Sequence, residues 1–221
     1  MSVELFELAG TDDRRFSPYC WRSRFALAHK GLKPRITAIR YTDKAAIAFS
    51  GQDKVPVVAD GERVVSDSWA IACYLEERYP HAPSLFGGEG GRQLAHFFNL
   101  WCDTQINARL VRAVALDLHD RLQPEDRSYF RRTREQRFGM RLEDAQAERP
   151  RLLEEIHQAL SPVRALLAEQ AWLHGETPAY ADYILLGTFQ WIRAISALDP
   201  LADDRPLRNW RERGLARLGV A

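Results

Sequence analysis

Residues 16–31 read FSPYCWRSRFALAHKG, and their signals organise the first half of the chain. Ser17 is a natural N-cap, because a serine hydroxyl accepts from a backbone N–H of the first helical turn. Pro18 takes the first helical position, where a missing N–H leaves no bond unmade. Gly31 stands where a left-handed C-terminal cap would end the helix. Upstream, residues 2–8 read as a short strand in which Val3, Leu5 and Ala9 alternate imperfectly with Glu4 and Glu7. Downstream, RITAIRY (35–41) is a second strand, followed by a short helical piece near residues 43–51. Asp60-Gly61 lies between two Val-rich runs and predicts a hairpin. Ser66 is expected to cap a third helix running through DSWAIACYLEERYP and closed by Pro80. The order is β-α-β, then α, then β-β-α.

Beyond this unit, HAPSLFGGEGG (81–91) reads as a linker, since no Lys-Ser/Thr pair follows its glycines as a phosphate cradle needs. From about residue 91 the helical period dominates. Leu94, Phe97, Phe98 and Trp101 fall at i, i+3, i+4 and i+7 on one face. The side formed by Leu94, Phe97 and Trp101 is assigned to the core of the helical half. Residues 121–151 hold nine arginines against six acids, with Tyr129, Phe130 and Phe138 interleaved. Mixed signs at helical spacing describe a solvated helix face better than a nucleic-acid patch. Residues 151–169 and 180–198 supply one further helix each. The expected organisation is an α/β domain over 1–86 and an all-helical domain over 91–221.

The 221 residues carry 31 basic and 30 acidic side chains, a net charge of +1. Such balance provides no global field to gather nucleic acid or an anionic membrane surface. Cys20, Cys73 and Cys102 show no CxxC spacing, so neither a disulfide framework nor a cysteine zinc site is expected. The six histidines form no HExxH or HxH pair, and no metal is expected. No apolar run reaches the roughly 18 residues of a membrane span. The most apolar late segment, YADYILLGTFQWIRAISAL, is interrupted by Asp182 and Arg193. With no signal-peptide pattern at the start, a reduced, cytoplasmic protein is expected.

Three short constellations bear on chemistry. Ser17-Pro18-Tyr19-Cys20 resembles the C-P-Y-C redox motif of glutaredoxins with its first cysteine replaced by serine. The replacement removes dithiol exchange. The remaining hydroxyl either caps its own helix or donates a hydrogen bond to a bound thiolate. Lys54-Val55-Pro56-Val57 is either a bounded edge strand or the thioredoxin-like arrangement. In the second case Pro56 is cis, and the N–H and C=O of Val55 turn outward to a peptide-like ligand. Ser66-Asp67-Ser68 is either simple capping or an amino-acid clamp. In a clamp, helix N–H groups and the Ser68 hydroxyl hold a carboxylate while Asp67 holds the neighbouring ammonium.

Taken in order, S-P-Y-C-W-R-S-R, K-V-P-V-V and S-D-S-W-A-I-A-C-Y-L-E resemble the N-terminal domain of cytosolic glutathione transferases. The resemblance runs on through the linker to G-E-T-P-A-Y-A-D-Y-I-L-L and covers nearly the whole chain. F-S-P-Y-C-W-R-S-R-F-A-L-A-H-K-G-L with D-S-W-A-I-A is similar, more closely, to the bacterial β-aryl-etherase branch. The family fold this implies is a thioredoxin-like α/β N-terminal domain followed by an all-α C-terminal domain. Glutathione is the implied co-substrate, with Ser17 as the catalytic residue stabilising its thiolate. Val55 would pair with the cysteinyl unit beside Pro56, Asp67 and Ser68 would hold the γ-glutamyl end, and Lys54 the glycyl carboxylate. Phe16, Tyr19, His96 and Leu100 are the residues expected around a hydrophobic electrophile, a β-aryl ether or an aryl halide. Relatives form homodimers. One departure is visible: Ala179 stands where the family caps a late helix with Ser or Thr, although Asp182 is kept and Thr177 could shift the cap. A maleylacetoacetate-type isomerase is the enzymatic alternative, against which stands Pro18. A non-catalytic binder of the same fold is the other.

Overall fold

The computed structural model describes residues 3–219. Residues 1, 2, 220 and 221, at the outer ends of the two expected domains, lie outside the described residues, as does the first position of the strand expected over 2–8. Four strands, β1 (Val3–Leu8), β2 (Arg35–Ile39), β3 (Val57–Asp60) and β4 (Arg63–Ser66), form one mixed sheet in the order β2-β1-β3-β4. β1 runs parallel to β2 and antiparallel to β3. The two Val-rich runs pair as a hairpin, with Asp60 opposite Arg63 and Gly61 at φ 61° in the turn. That backbone conformation is open to glycine at little cost.

Helix α1 (Pro18–His29) crosses from β1 to β2, capped by Ser17 as its sequence predicts. Helix α2 (Ser68–Arg78) is capped by Asp67 and not by Ser66. The Asp67 carboxylate reaches two N–H groups at once, Trp69 at 2.9 Å and Ala70 at 3.1 Å, which the Ser66 hydroxyl cannot do from one position further back. Strand β1 also departs from its expected alternation, because Glu7 lies inside with Val3 and Leu5. Its carboxylate stays buried because Arg15 (2.9 Å) and Arg24 (2.8 Å) donate to it.

The second half is helical throughout: α3 (Glu89–Trp101), α4 (Ala108–Ala113), α5 (Ala115–Asp120), α6 (Pro124–Phe138), α7 (Leu142–Ala147), α8 (Arg149–Ala159), α9 (Ser161–Glu169), α10 (Tyr180–Ile195) and α11 (Arg205–Arg217). The single helix expected over 151–169 is two, since Pro162 enters the first turn of α9 and cannot continue α8. Thr177 does not shift the start of α10. Ala179 holds the cap position, its carbonyl accepts the Asp182 N–H at 3.0 Å, and the Asp182 carboxylate accepts the Ala179 N–H at 3.1 Å.

The assignment of Leu94, Phe97 and Trp101 to the core is corrected. Leu94 is 72% and Phe97 68% exposed, while Trp101 is half-buried against Phe98. The buried side of α3 is the narrower stripe of Ala95 and Asn99. A helical period locates an apolar face; it does not say what covers it. α10 is the axis of the molecule, buried along nearly its whole length and packed against α1. Gly187 permits that approach: a Cβ there would stand 2.7 Å from the Pro18 carbonyl oxygen. Among the described residues no helix is long and apolar enough to cross a membrane.

Candidate functional site

The first turn of α1 faces a cavity of about 320 Å³ between the sheet half and the helical half. Ser17 is buried on its wall, 4% exposed. Its Oγ accepts the Cys20 N–H at 3.2 Å, and its own O–H has no acceptor among the described residues. Capping and donating are therefore compatible, because they use different parts of one hydroxyl. Cys20 is no thiolate: burial pushes its thiol up to about 12.

The loop before β3 supplies Lys54 and Val55 to the same wall. The Val55–Pro56 peptide bond is cis. Among the described residues neither the N–H nor the C=O of Val55 has a partner, and the exposed Lys54 has no ion pair. Asp67 and Ser68 lie outside this lining. The Asp67 N–H donates to the Pro56 carbonyl at 3.3 Å, its side chain is exposed, and Ser68 is buried with its carbonyl accepting the Tyr180 hydroxyl at 2.8 Å.

Of the four side chains expected around an electrophile, Phe16 and Tyr19 line the cavity. His96 and Leu100 do not. His96 stacks on Trp69 with ring centroids 4.6 Å apart, and Leu100 is exposed on the outer side of α3. The helix presents its cavity face one turn later, through a π-helical segment (Cys102–Asn107) that brings Asp103 and Asn107 to the wall. Such widened turns recur at functional sites, because the extra residue re-aims side chains. Asp103 is held there by Arg22 at 2.8 Å and Asn107 at 2.9 Å.

The sequence reading missed the remaining wall. Tyr41, from just after β2, Tyr129, Arg134 and Arg137, from α6, and Trp191 of α10 also line the cavity, and the Tyr41 ring stacks on that of Phe16 with centroids 6.4 Å apart. Burial raises the Tyr41 phenol while Arg134 and Arg137 oppose the shift. The Arg and aromatic interleaving of residues 121–151 was their signal. Part of it is the solvated face expected, since Arg131 pairs with Glu135 and Glu143. Among the described residues no group of three or more His, Cys, Asp or Glu side chains could hold a metal ion.

Comparisons with known proteins bear on this arrangement. Residues 16–78 match the family model described as glutathione S-transferase, N-terminal domain, and residues 93–216 match its C-terminal domain counterpart. Among curated proteins the chain is similar to a glutathione S-transferase-like protein, ustS, of Aspergillus flavus, 30% identical over 147 residues, or 57% of this chain and 49% of that one. The chain spans half or less of the length of the curated relatives it matches. Among solved structures it is similar to glutathione transferase GSTFuA3 from Phanerochaete chrysosporium, with 26% identity, a TM-score of 0.86, and coverage of 99% of this chain and 96% of that one. A glutathione S-transferase of Ceriporiopsis subvermispora solved in complex with glutathione shares the fold, with a TM-score of 0.83 at 24% identity over 99% and 97% of the two chains.

Proposed function

Because the chain belongs to the glutathione S-transferase family, we propose that it binds glutathione in this cavity and activates the thiol for attack on an aromatic electrophile. The observation that carries the reading is Ser17, buried on the cavity wall with a hydroxyl proton left to donate. A free thiol of pKa near 8.5 is only a few per cent ionised at neutral pH. A donor aimed at the sulfur stabilises its anion, and each pKa unit of depression corresponds to about 1.4 kcal/mol.

Glutathione would lie along the loop before β3, its cysteinyl unit pairing with the free N–H and C=O of Val55 beside Pro56. Lys54 would take the glycyl carboxylate. Asp67 would hold the γ-glutamyl ammonium, and Ser68 with the α2 N-terminus the neighbouring carboxylate. In the transfer step the thiolate sulfur attacks the carbon bearing the leaving group. The C–S bond forms, the bond to the phenolate or halide breaks, and the leaving group departs with its electron pair. β-Aryl ethers and aryl halides are the proposed electrophiles, met by Phe16 and Tyr19. Residues 1–86 would form the glutathione-binding domain and 91–221 the domain completing the electrophile site. The exposed apolar side of α3, Leu94, Phe97 and Leu100, would meet a second copy of the chain in a homodimer. Use of reduced glutathione fits the cytoplasm.

The test is the ultraviolet absorbance of bound glutathione thiolate across pH. In the intact protein the bound thiol should ionise at least about one unit below its solution value. Ser17→Ala should return it most of the way while glutathione still binds. Ionisation at the solution value in the intact protein overturns the reading.

A further inference from the structure

Two arginines of α6 that line the cavity, Arg134 and Arg137, have no ion pair among the described residues. Arg134 packs against two rings that meet edge to face, its guanidinium 5.5 Å from the Tyr41 centroid and 5.1 Å from that of Phe130, with Nη2 donating to the Tyr41 hydroxyl. No carboxylate pairs with it among the described residues, and its Nε is buried without a partner. The acids nearest in sequence are engaged elsewhere: Glu135 and Glu143 hold Arg131. Arg137, one turn along the same helix, lines the same wall and likewise lacks an ion pair among the described residues.

The acids on the wall do not compensate. Asp103 is taken by Arg22, and Asp53 by Lys44 at 3.3 Å. Asp43 alone stands without a partner among the wall's described carboxylates, against Arg40, Lys54, Arg134 and Arg137. Lys54 stands beside Val55 in the loop along which glutathione, itself carrying two carboxylates, is proposed to lie, whereas Arg134 and Arg137 come from α6 in the helical half. An arginine stays charged at any relevant pH, and in a partly enclosed site it favours a planar oxyanion that can accept two of its N–H groups.

A second observation is independent of charge. Trp191, 3% exposed, lines the cavity, and its indole N–H is buried with no acceptor among the described residues. Buried donors in folded proteins are nearly always paired, so one left unmade is costly and calls for an acceptor. Tyr19, Tyr41, Tyr129 and Trp191 bring aromatic rings to the same lining, which suits an aromatic body.

Resting on the transferase reading, we propose that the electrophile is an aromatic compound bearing an oxyanion, a carboxylate or phenolate, which Arg134 and Arg137 hold while the Trp191 N–H finds an oxygen acceptor on the same molecule. The ring then lies among the aromatic side chains of the lining, with its anionic end toward α6. A neutral aromatic of the same shape leaves both arginines unanswered and binds more weakly.

The test needs no turnover. Glutathione itself and two chemically prepared S-aryl conjugates are titrated by calorimetry. Both conjugates carry an ortho-nitro group, one with a para-carboxylate and the other with the neutral para-carboxamide. The carboxylate conjugate should bind at least about tenfold tighter than the amide, a difference of about 1.4 kcal/mol. That ratio should fall to within about twofold in Arg134→Gln and in Arg137→Gln, and shrink with added salt in the intact protein. Arg137 is exposed, so its variant keeps the test usable where the Arg134 variant fails to fold. Equal affinity of the two conjugates for the intact protein, with glutathione binding, overturns this inference alone, as does a ratio that survives Arg137→Gln. Absence of binding by glutathione and both conjugates overturns the transferase reading and this one with it.

Discussion

The Asp67 backbone N–H donates to the Pro56 carbonyl oxygen at 3.3 Å. One hydrogen bond thus ties the loop that presents Val55 and Lys54 to the residue that caps α2. Asp67 holds φ at 77°, a conformation that costs a non-glycine residue about 1–3 kcal/mol. Its Oδ1 accepts both the Trp69 and the Ala70 N–H, which leaves Oδ2 facing outward. The strained backbone and the free oxygen together suit a residue whose position matters more than its local energy.

The contact between Gly187 and α1 sets the place of Ser17. A Cβ at Gly187 would stand 2.7 Å from the Pro18 carbonyl oxygen and 3.1 Å from the Arg22 backbone nitrogen. Gly187→Ala should therefore separate α10 from the first turn of α1 and cost about 1–3 kcal/mol of stability. The adjacent Ser17 should move with Pro18, lowering turnover more than glutathione affinity. Denaturant midpoints and kinetics on an aryl halide measure both effects, and an unchanged midpoint contradicts the close approach.

How far the sequence carries this picture depends on how local each feature is. The Ser17-Pro18 start of α1 and the Asp60-Gly61 hairpin are set by residues adjacent in the chain, and both appear where their signals predict. The replacement of Ser66 by Asp67 as cap turned on reach, a matter of one residue. Features assembled from distant segments were not legible. Tyr41 and Arg134 meet across 93 positions, and no spacing rule connects them. His96 is taken up by Trp69 and Leu100 faces outward, and the residues of this helix that reach the cavity, Asp103 and Asn107, sit in a π-helical turn that nothing in CDTQIN announces. Leu94 and Phe97 share one face as their spacing indicates, but nothing among the described residues covers it.

His29 ties α1 to α10 and is sensitive to pH. Its Nε2 lies 3.0 Å from the Ser84 carbonyl, which can only accept, so Nε2 carries the proton and Nδ1 accepts from the Tyr183 hydroxyl at 2.7 Å. Burial is the main cause holding the imidazole below its ordinary value, with Lys30 adding to it. The unfolded chain therefore takes up this proton first as pH falls. The contribution of His29 is present above the ordinary value of about 6.5 and is lost as pH drops through the folded value. Urea midpoints should decline from about pH 6.5 downward, and His29→Gln should flatten that decline. An equal slope in the variant contradicts the neutral role.

Leu94 and Phe97 on α3 bear on assembly. In the proposed homodimer their exposed side is buried, and each Phe97 contributes about 1.5–3 kcal/mol. Sedimentation at micromolar concentration should return twice the chain mass, and Phe97→Asp should shift it to the monomer with the fold intact by circular dichroism. A monomeric intact protein, or a variant that remains dimeric, contradicts this use of the surface.

The binding of glutathione by the Asp67 clamp is tested most directly by calorimetric titration of the intact protein and Asp67→Asn side by side. Asparagine keeps an oxygen to accept the Trp69 and Ala70 N–H groups, so α2 stays capped while the charge facing the ammonium is removed. A loss of affinity of about tenfold or more is expected, in the range of a charged hydrogen bond, about 1.5–3 kcal/mol. Equal affinity in the two proteins, or no binding of glutathione by the intact one, would contradict it.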